Sequence, residues 1–262
     1  MKRMSVGVLT AAASGLVVGQ AAAATKPHKT PPAPPPPPLA HRWTGFYLGG
    51  HLGGGWPGND SATVTEVSGF GLFAPGSFGS SSNGSFLGGG QVGYNWQFAS
   101  PWMVGVEADW TGTRLSQTGG GALPGGVGAG YSSTLRRDVK SLMSVRGRVG
   151  YVQDAMLYYI TGGLAWGRTD YTANTISDDP SFPASFSNTA QGYVVGGGLA
   201  YALNANWSVR AEYLYYRLGG ASQNALSMDA NPPGNDGTVN YHWKAFQANI
   251  VRVGVDYQFG GL

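Results

Sequence analysis

The sequence predicts an all-β chain, an eight-stranded antiparallel up-and-down transmembrane β-barrel, on three observations. From Trp43 onward apolar and other residues alternate in eight runs, with no helical period of useful length. The connections between runs are alternately very short and long, the pattern of barrels with tight turns on one side and loops on the other. Charged residues make up only 11% of the chain, against a usual ~25%. With 44 glycines and 12% aromatics, that leaves little charge to keep a water-facing surface dispersed.

The N-terminus has the order of a secretory signal. Lys2 and Arg3 form a positive start, Val6 to Val18 are mostly apolar, and Ala22-Ala23-Ala24 supplies small residues for cleavage after Ala24. Residues 1–24 are therefore expected to be a signal peptide, 25–42 a linker, and 43–262 the barrel. The linker TKPHKTPPAPPPPPLAH favours extended polyproline II, a spacer of about 3.1 Å per residue. With Lys26, His28 and Lys29 it is also a candidate arm for cell-wall peptidoglycan. No later stretch has the ~18 to 20 consecutive apolar residues of a spanning helix. The absence of cysteine excludes disulfides and thiolate metal sites. A net charge of +3 falls to +1 once Lys2 and Arg3 are removed, which gives no reason to expect a nucleic-acid partner.

Each run sorts its residues by face, because side chains alternate along a strand. Residues 43–56 place Phe46, Leu48, Leu52 and Trp56 opposite Tyr47, Gly49 and His51. Residues 85–98 place Phe86, Val92, Tyr94, Trp96 and Phe98 opposite Gln91, Asn95 and Gln97. In the third run Trp102, Val104, Val106, Ala108 and Trp110 oppose Glu107 and Asp109. The fourth sets Val139, Met143, Val145, Val149 and Tyr151 against Lys140, Ser144, Arg146 and Arg148. The fifth and sixth carry Met156, Tyr158, Ile160, Leu164 and Trp166, then Tyr193, Val195, Leu199 and Tyr201, on their apolar faces. In the last two, Trp207, Val209, Tyr213 and Tyr215 oppose Arg210 and Glu212, and Val251, Val253, Val255, Tyr257 and Phe259 oppose Arg252 and Asp256.

Short turns fall near Ser100, Asp154 and Asn204. The long breaks, about 57–84, 117–135, 173–189 and 219–241, are rich in Gly, Ser, Asn, Asp and Pro and read as polar loops. Trp102 and Trp110 are eight residues apart. On a tilted strand that is roughly 20 Å along the membrane normal, close to the height of a barrel's lipid-facing band. Trp102, Trp110, Tyr94, Trp96, Phe98, Trp207, Tyr257 and Phe259 are thus the expected interfacial rings. The opposite faces then point inward, and an eight-stranded interior is just wide enough to be filled by side chains. Glu107, Asp109, Glu212 and Asp256 balance Arg146, Arg148, Arg210 and Arg252 there, with Glu107 and Arg148 at matching heights. That set reads as a salt-bridged plug, with a charged gate for small ions as the alternative. A soluble β-sandwich would not need the alternating short and long connections.

Other motifs carry no chemistry. Gly88, Gly90 and Gly93 spell G-x-G-x-x-G inside an alternating strand, with no helix after it to present amides to phosphate. No G-x-S-x-G is present, and His28, His41, His51 and His242 lack metal-ligand spacing. The sequence therefore points to no catalytic residue, cofactor or metal site.

WTGFYLGGHLGGGW, GGQVGYNWQF with GVEADW, VRGRVGYV with YYITGGLAWG, and VRAEYLYY together resemble the Omp25/Omp31-like outer-membrane proteins of alphaproteobacteria, among the wider OmpA-like and opacity-type small barrels. The resemblance runs from Trp43 to Phe259. It implies a bacterial outer-membrane barrel with both termini in the periplasm, a surface antigen with roles in envelope integrity or host contact rather than catalysis. The partners it implies are outer-membrane lipid and lipopolysaccharide, and the barrel-assembly machinery reading the last strand. The chain departs from the family in ending three residues beyond Phe259. A narrow porin-like diffusion channel is the alternative function, and an adhesin or haem-binding surface protein another.

Overall fold

The computed structural model describes residues 42–262 except 69–70, 72, 125–129, 177–180, 228–236 and 260–262. The expected leader, and the proline-rich arm apart from Arg42, lie outside the described residues. The rest is β-structure: β1 (Gly45–Pro57), β2 (Ser61–Ser68), β3 (Gly76–Asn83), β4 (Ser85–Ala99), β5 (Trp102–Ala122), β6 (Ser132–Gln153), β7 (Met156–Ile176), β8 (Ser181–Ala202), β9 (Trp207–Leu218), β10 (Ala221–Leu226), β11 (Thr238–Trp243) and β12 (Phe246–Phe259).

Eight of these close the ring in the order β1-β4-β5-β6-β7-β8-β9-β12, antiparallel throughout, with β12 paired back to β1 over Phe46↔Phe259 to Pro57↔Ala248. Closure leaves no free edge in the membrane-crossing part of this ring, which a bilayer without water requires. The expected hairpins appear between β4 and β5, β6 and β7, and β8 and β9. Glu107 is 2% exposed while its neighbour Val106 is 61% exposed, so the valine face is the outer one.

At the opposite end from the hairpins the structure corrects the expected polar loops. β2, β3, β10 and β11 continue β1, β4, β9 and β12 beyond short breaks, and β5 to β8 run on uninterrupted for 21 or 22 residues each. β2 pairs with β3 and β11, β3 with the upper part of β5, and β10 with β11. This extension encloses Val64, Leu135, Tyr171, Phe182, Tyr241 and Trp243 as an apolar core. The sequence hid it because the outward side of these segments is mostly small and polar, as in loops, and several inward positions are polar too. The inward side still carries apolar residues such as Val64, Leu135, Tyr171 and Tyr241 in strand alternation.

A second correction concerns β6. Val139 is buried and Lys140 exposed, the reverse of the even alternation expected for that run. The register shifts between Val139 and Ser141 against β7, leaving Lys140 as an extra residue. A bulge of this kind exchanges the faces beyond it.

Candidate functional site

The barrel interior is where the chain places its buried charge. Reading β5 from the hairpin end, the buried residues are Met103, Glu107, Asp109, Thr111, Thr113, Leu115 and Gln117. They sample successive layers. Trp43, Met103, Leu157, Tyr159, Ala200 and Ala202 form an apolar floor. The ionic layer lies above it, followed by an apolar layer that includes Leu115, Val139, Leu142, Leu214, Tyr216 and Phe246.

The ionic layer contains all eight inward charges expected from the sequence. Glu107 is its hub. Arg146 and Arg148 both donate to its carboxylate in close contacts, Arg210 Nη1 donates to Oε2 at 2.6 Å, and Arg252 Nη2 lies 3.7 Å from Oε1. Glu212 accepts from Arg146 Nη1 at 3.0 Å and Arg252 Nε at 2.7 Å. Asp109 accepts from Arg252 Nη1 at 3.0 Å and lies 3.2 Å from Arg146 Nη2. Asp256, at the edge, is 3.5 Å from Arg210 Nε. Each carboxylate thus neutralises at least one guanidinium, and charges taken out of water are tolerable only when paired in this way.

Sequence reasoning left several neutral members out of the layer. The Tyr47 hydroxyl donates to Glu107 Oε2 at 2.7 Å and accepts from Arg148, whose guanidinium also lies 5.0 Å from the Tyr47 ring and 4.9 Å from the Tyr159 ring. His51 Nδ1 donates to Gln91 Oε1 at 2.5 Å, and Gln91 Nε2 donates to Asp256 Oδ1 at 2.7 Å. Thr111 bonds His51 Nε2 at 2.9 Å, and Ser144 donates to Asp109. The available signal was their position, since Tyr47, His51, Gln91 and Ser144 share the inward parity of the charges. Inward glycines provide the space. A Cβ on Gly49 would collide with the Asp256 carboxylate, and one on Gly93 with the Tyr47 hydroxyl.

Above the second apolar layer a smaller polar latch ties the breaks between strands to the wall. Arg137 Nη1 lies 3.6 Å from Asp60 Oδ2, Arg137 Nη2 donates to the Lys244 carbonyl at 2.6 Å, and Gln117 donates to Asp60 at 3.2 Å. Burial raises the Asp60 carboxyl above the usual range, against the opposing pull of Gln117, the Gln247 amide and Arg137. A cavity of about 20 Å³ beside this pair, lined by Asp60, Gln117, Arg137 and Trp243 among others, has room for one water.

The expected interfacial rings sit on the outer surface. Trp96, Phe98, Trp102, Trp207 and Phe259 are exposed near the hairpin end, and Tyr94 and Tyr257 are partly covered by neighbouring rings. Trp96 lies 5.7 Å from Phe98, Trp102 5.7 Å from Tyr151, and Tyr257 5.0 Å from both Trp207 and Phe259. Trp110 is exposed farther along β5. The Gly88–Gly93 motif lies within β4, in mid-strand.

Comparison with known protein families and sequences agrees with this architecture. The family model for the outer membrane protein beta-barrel domain matches residues 9–259. The 31 kDa outer-membrane immunogenic protein of Brucella melitensis is 34% identical over 178 residues, covering 67% of each chain. The 22 kDa outer membrane protein of Rhizobium leguminosarum is 35% identical over 178 residues, 67% of this chain and 64% of that one. Among solved structures, the outer membrane protein OprG of Pseudomonas aeruginosa aligns with a TM-score of 0.48 at 11% identity, covering 84% of this chain and 99% of its own. The chain belongs to the outer membrane protein beta-barrel domain family, as an Omp25/Omp31-like outer-membrane protein.

Proposed function

We propose that this protein is a non-conducting, non-enzymatic barrel that supports the envelope through its own structure and meets the cell's surroundings through its extended end. The hairpin end faces the periplasm in this reading, with both termini, and the extension faces outward. One observation carries it: inward side chains fill the barrel in successive apolar and ion-paired layers. Ions in a conducting lumen need a continuous polar path. Here the floor around Met103 and Leu157, and the layer around Leu115, Leu142 and Leu214, bracket the charges on both sides. Arg146 and Arg252, both among the largest fully buried side chains, are held between carboxylates and are not free to line a pathway.

The test is single-channel recording of the processed protein refolded into a planar bilayer. No steps above background are expected. Reproducible steps whose ion selectivity changes with Glu107→Gln or Arg148→Gln would overturn the closed reading in favour of a narrow diffusion channel. The outward end makes surface contact the working role, and the name of the Brucella relative, an immunogenic protein, is consistent with an accessible surface.

A further inference from the structure

The outer surface carries exposed cations at one rim. On β5, β6 and β7, Arg114, Lys140 and Arg168 are exposed just beyond the apolar run that ends at Trp110, Met143 and Trp166. They are neighbours in the sheet, since Gly112 pairs with Ser141 and Ser141 with Arg168. The bulge at Lys140 turns that lysine outward into the same row. Lys140 lies 3.7 Å from Asp170, while Arg114 and Arg168 have no ion-pair partner among the described residues. The hairpin rim carries only Arg42 and Asp154 as described charges, so the row belongs to one side of the membrane.

Beneath Arg114 and Lys140 lies an open trough of about 780 Å³ on the outer wall. Leu52, Phe86 and Trp110 flank it, and Gly88 and Gly112 leave its floor free of side chains. Phe86 is 93% exposed and Leu52 70% exposed. The ring of Phe86 therefore faces whatever surrounds the barrel.

We propose that this trough holds one lipid of net negative, phosphate-borne charge from the leaflet at that rim, its phosphate on Arg114 and Lys140 and an acyl chain over Gly88 and Gly112. Two features favour this occupant. A guanidinium offers paired donors that match phosphate oxygens, and Lys140 adds a point charge. The apolar walls continue the lipid-facing surface, so a lipid engages both the cations and the apolar floor, whereas a soluble polyanion would use the cations alone. A peptide has no reason to enter at the height of the apolar band. The proposal rests on the membrane-spanning reading and not on a closed lumen.

The experiment uses the full processed barrel in nanodiscs of phosphatidylcholine doped with bisphosphorylated lipid A, extracted and examined by native mass spectrometry. The wild type is expected to carry one lipid A. Arg114→Gln with Lys140→Gln should lower retention about tenfold or more, in line with losing charge-assisted bonds. Gly112→Leu keeps both cations and fills the trough. Its Cβ would lie 3.3 Å from the rim of the Trp110 indole, an exposed side chain that can yield. This variant should lose the lipid while keeping the heat-modifiable mobility of a folded barrel. Retention of dephosphorylated lipid A equal to that of the phosphorylated form, or retention unchanged in the double variant, would overturn the proposal. So would displacement of the lipid by a soluble polyanion such as heparin with Gly112→Leu binding that polyanion normally. Conductance recorded on the same preparation bears on the closed lumen alone, so failure of either reading is seen separately.

Discussion

Glu107 shows how far a single side chain can be read in advance. Its strand parity placed it inside the barrel, and its height suggested a partnership with Arg148. Geometry adds three more guanidiniums, from Arg146, Arg210 and Arg252. Strand stagger and side-chain reach decide which charges meet, and neither is written in a residue pattern. The distinction has a measurable result. Glu107→Gln should cost about 3 to 5 kcal/mol of unfolding free energy, because it leaves buried cations without their shared anion. Exchanging the two residues as Glu107→Arg with Arg148→Glu places an arginine among the three remaining ones. A double-mutant cycle by urea unfolding in lipid should therefore show little rescue over Glu107→Arg alone. Strong rescue would mean an isolated Glu107–Arg148 pair, as matching heights alone would suggest.

At the scale of the element, the membrane-crossing halves of the strands were legible and the outer halves were not. The former alternate large apolar residues with charges, as in β12, where Val251, Val253 and Val255 flank Arg252 and Gly254. The latter alternate a buried apolar residue with a small polar one, as in Tyr171, Thr172, Ala173 and Asn174. Small polar residues also mark loops, and the composition outweighed the period. One side of this extension is joined differently from the others. The β8–β9 ladder ends at Gly192↔Leu218, and among the described residues no ladder joins the outer half of β8 to β10. Side chains bridge the gap instead. Tyr241 donates to the Phe182 carbonyl at 2.5 Å, and the Phe186 ring lies 5.6 Å from that of Trp243. Trp243→Ala should therefore cost about 3 to 5 kcal/mol, as expected for losing a large core ring. Its effect should be confined to the extension. Amide exchange should rise in β10, β11 and the outer half of β8, with β12 protected as before. Uniform loss of protection in β12 would show that the two halves unfold together.

For the whole molecule, the sign of the radial pattern changes along the barrel axis. The membrane section has lipid-facing valines around an ionic interior, and the extension has polar outer positions around an apolar interior. Val106→Arg probes the first of these. On the lipid face near mid-membrane it should lower stability by about 2 to 4 kcal/mol, measured by urea titration in phospholipid vesicles. An unchanged midpoint would place that face away from hydrocarbon. The exposure of Val106 beside the buried Glu107 is what makes the outcome decisive.

The extension also separates two kinds of constraint on heredity. Its inward residues, such as Leu135, Tyr171 and Trp243, are bound to one another and can change only together. Its outward ones, such as Ser132, Thr134, Thr172 and Asn174, point away from that core and are free to drift. A lineage under pressure from whatever recognises its surface can therefore rewrite the outer wall position by position while the scaffold beneath it stays the same.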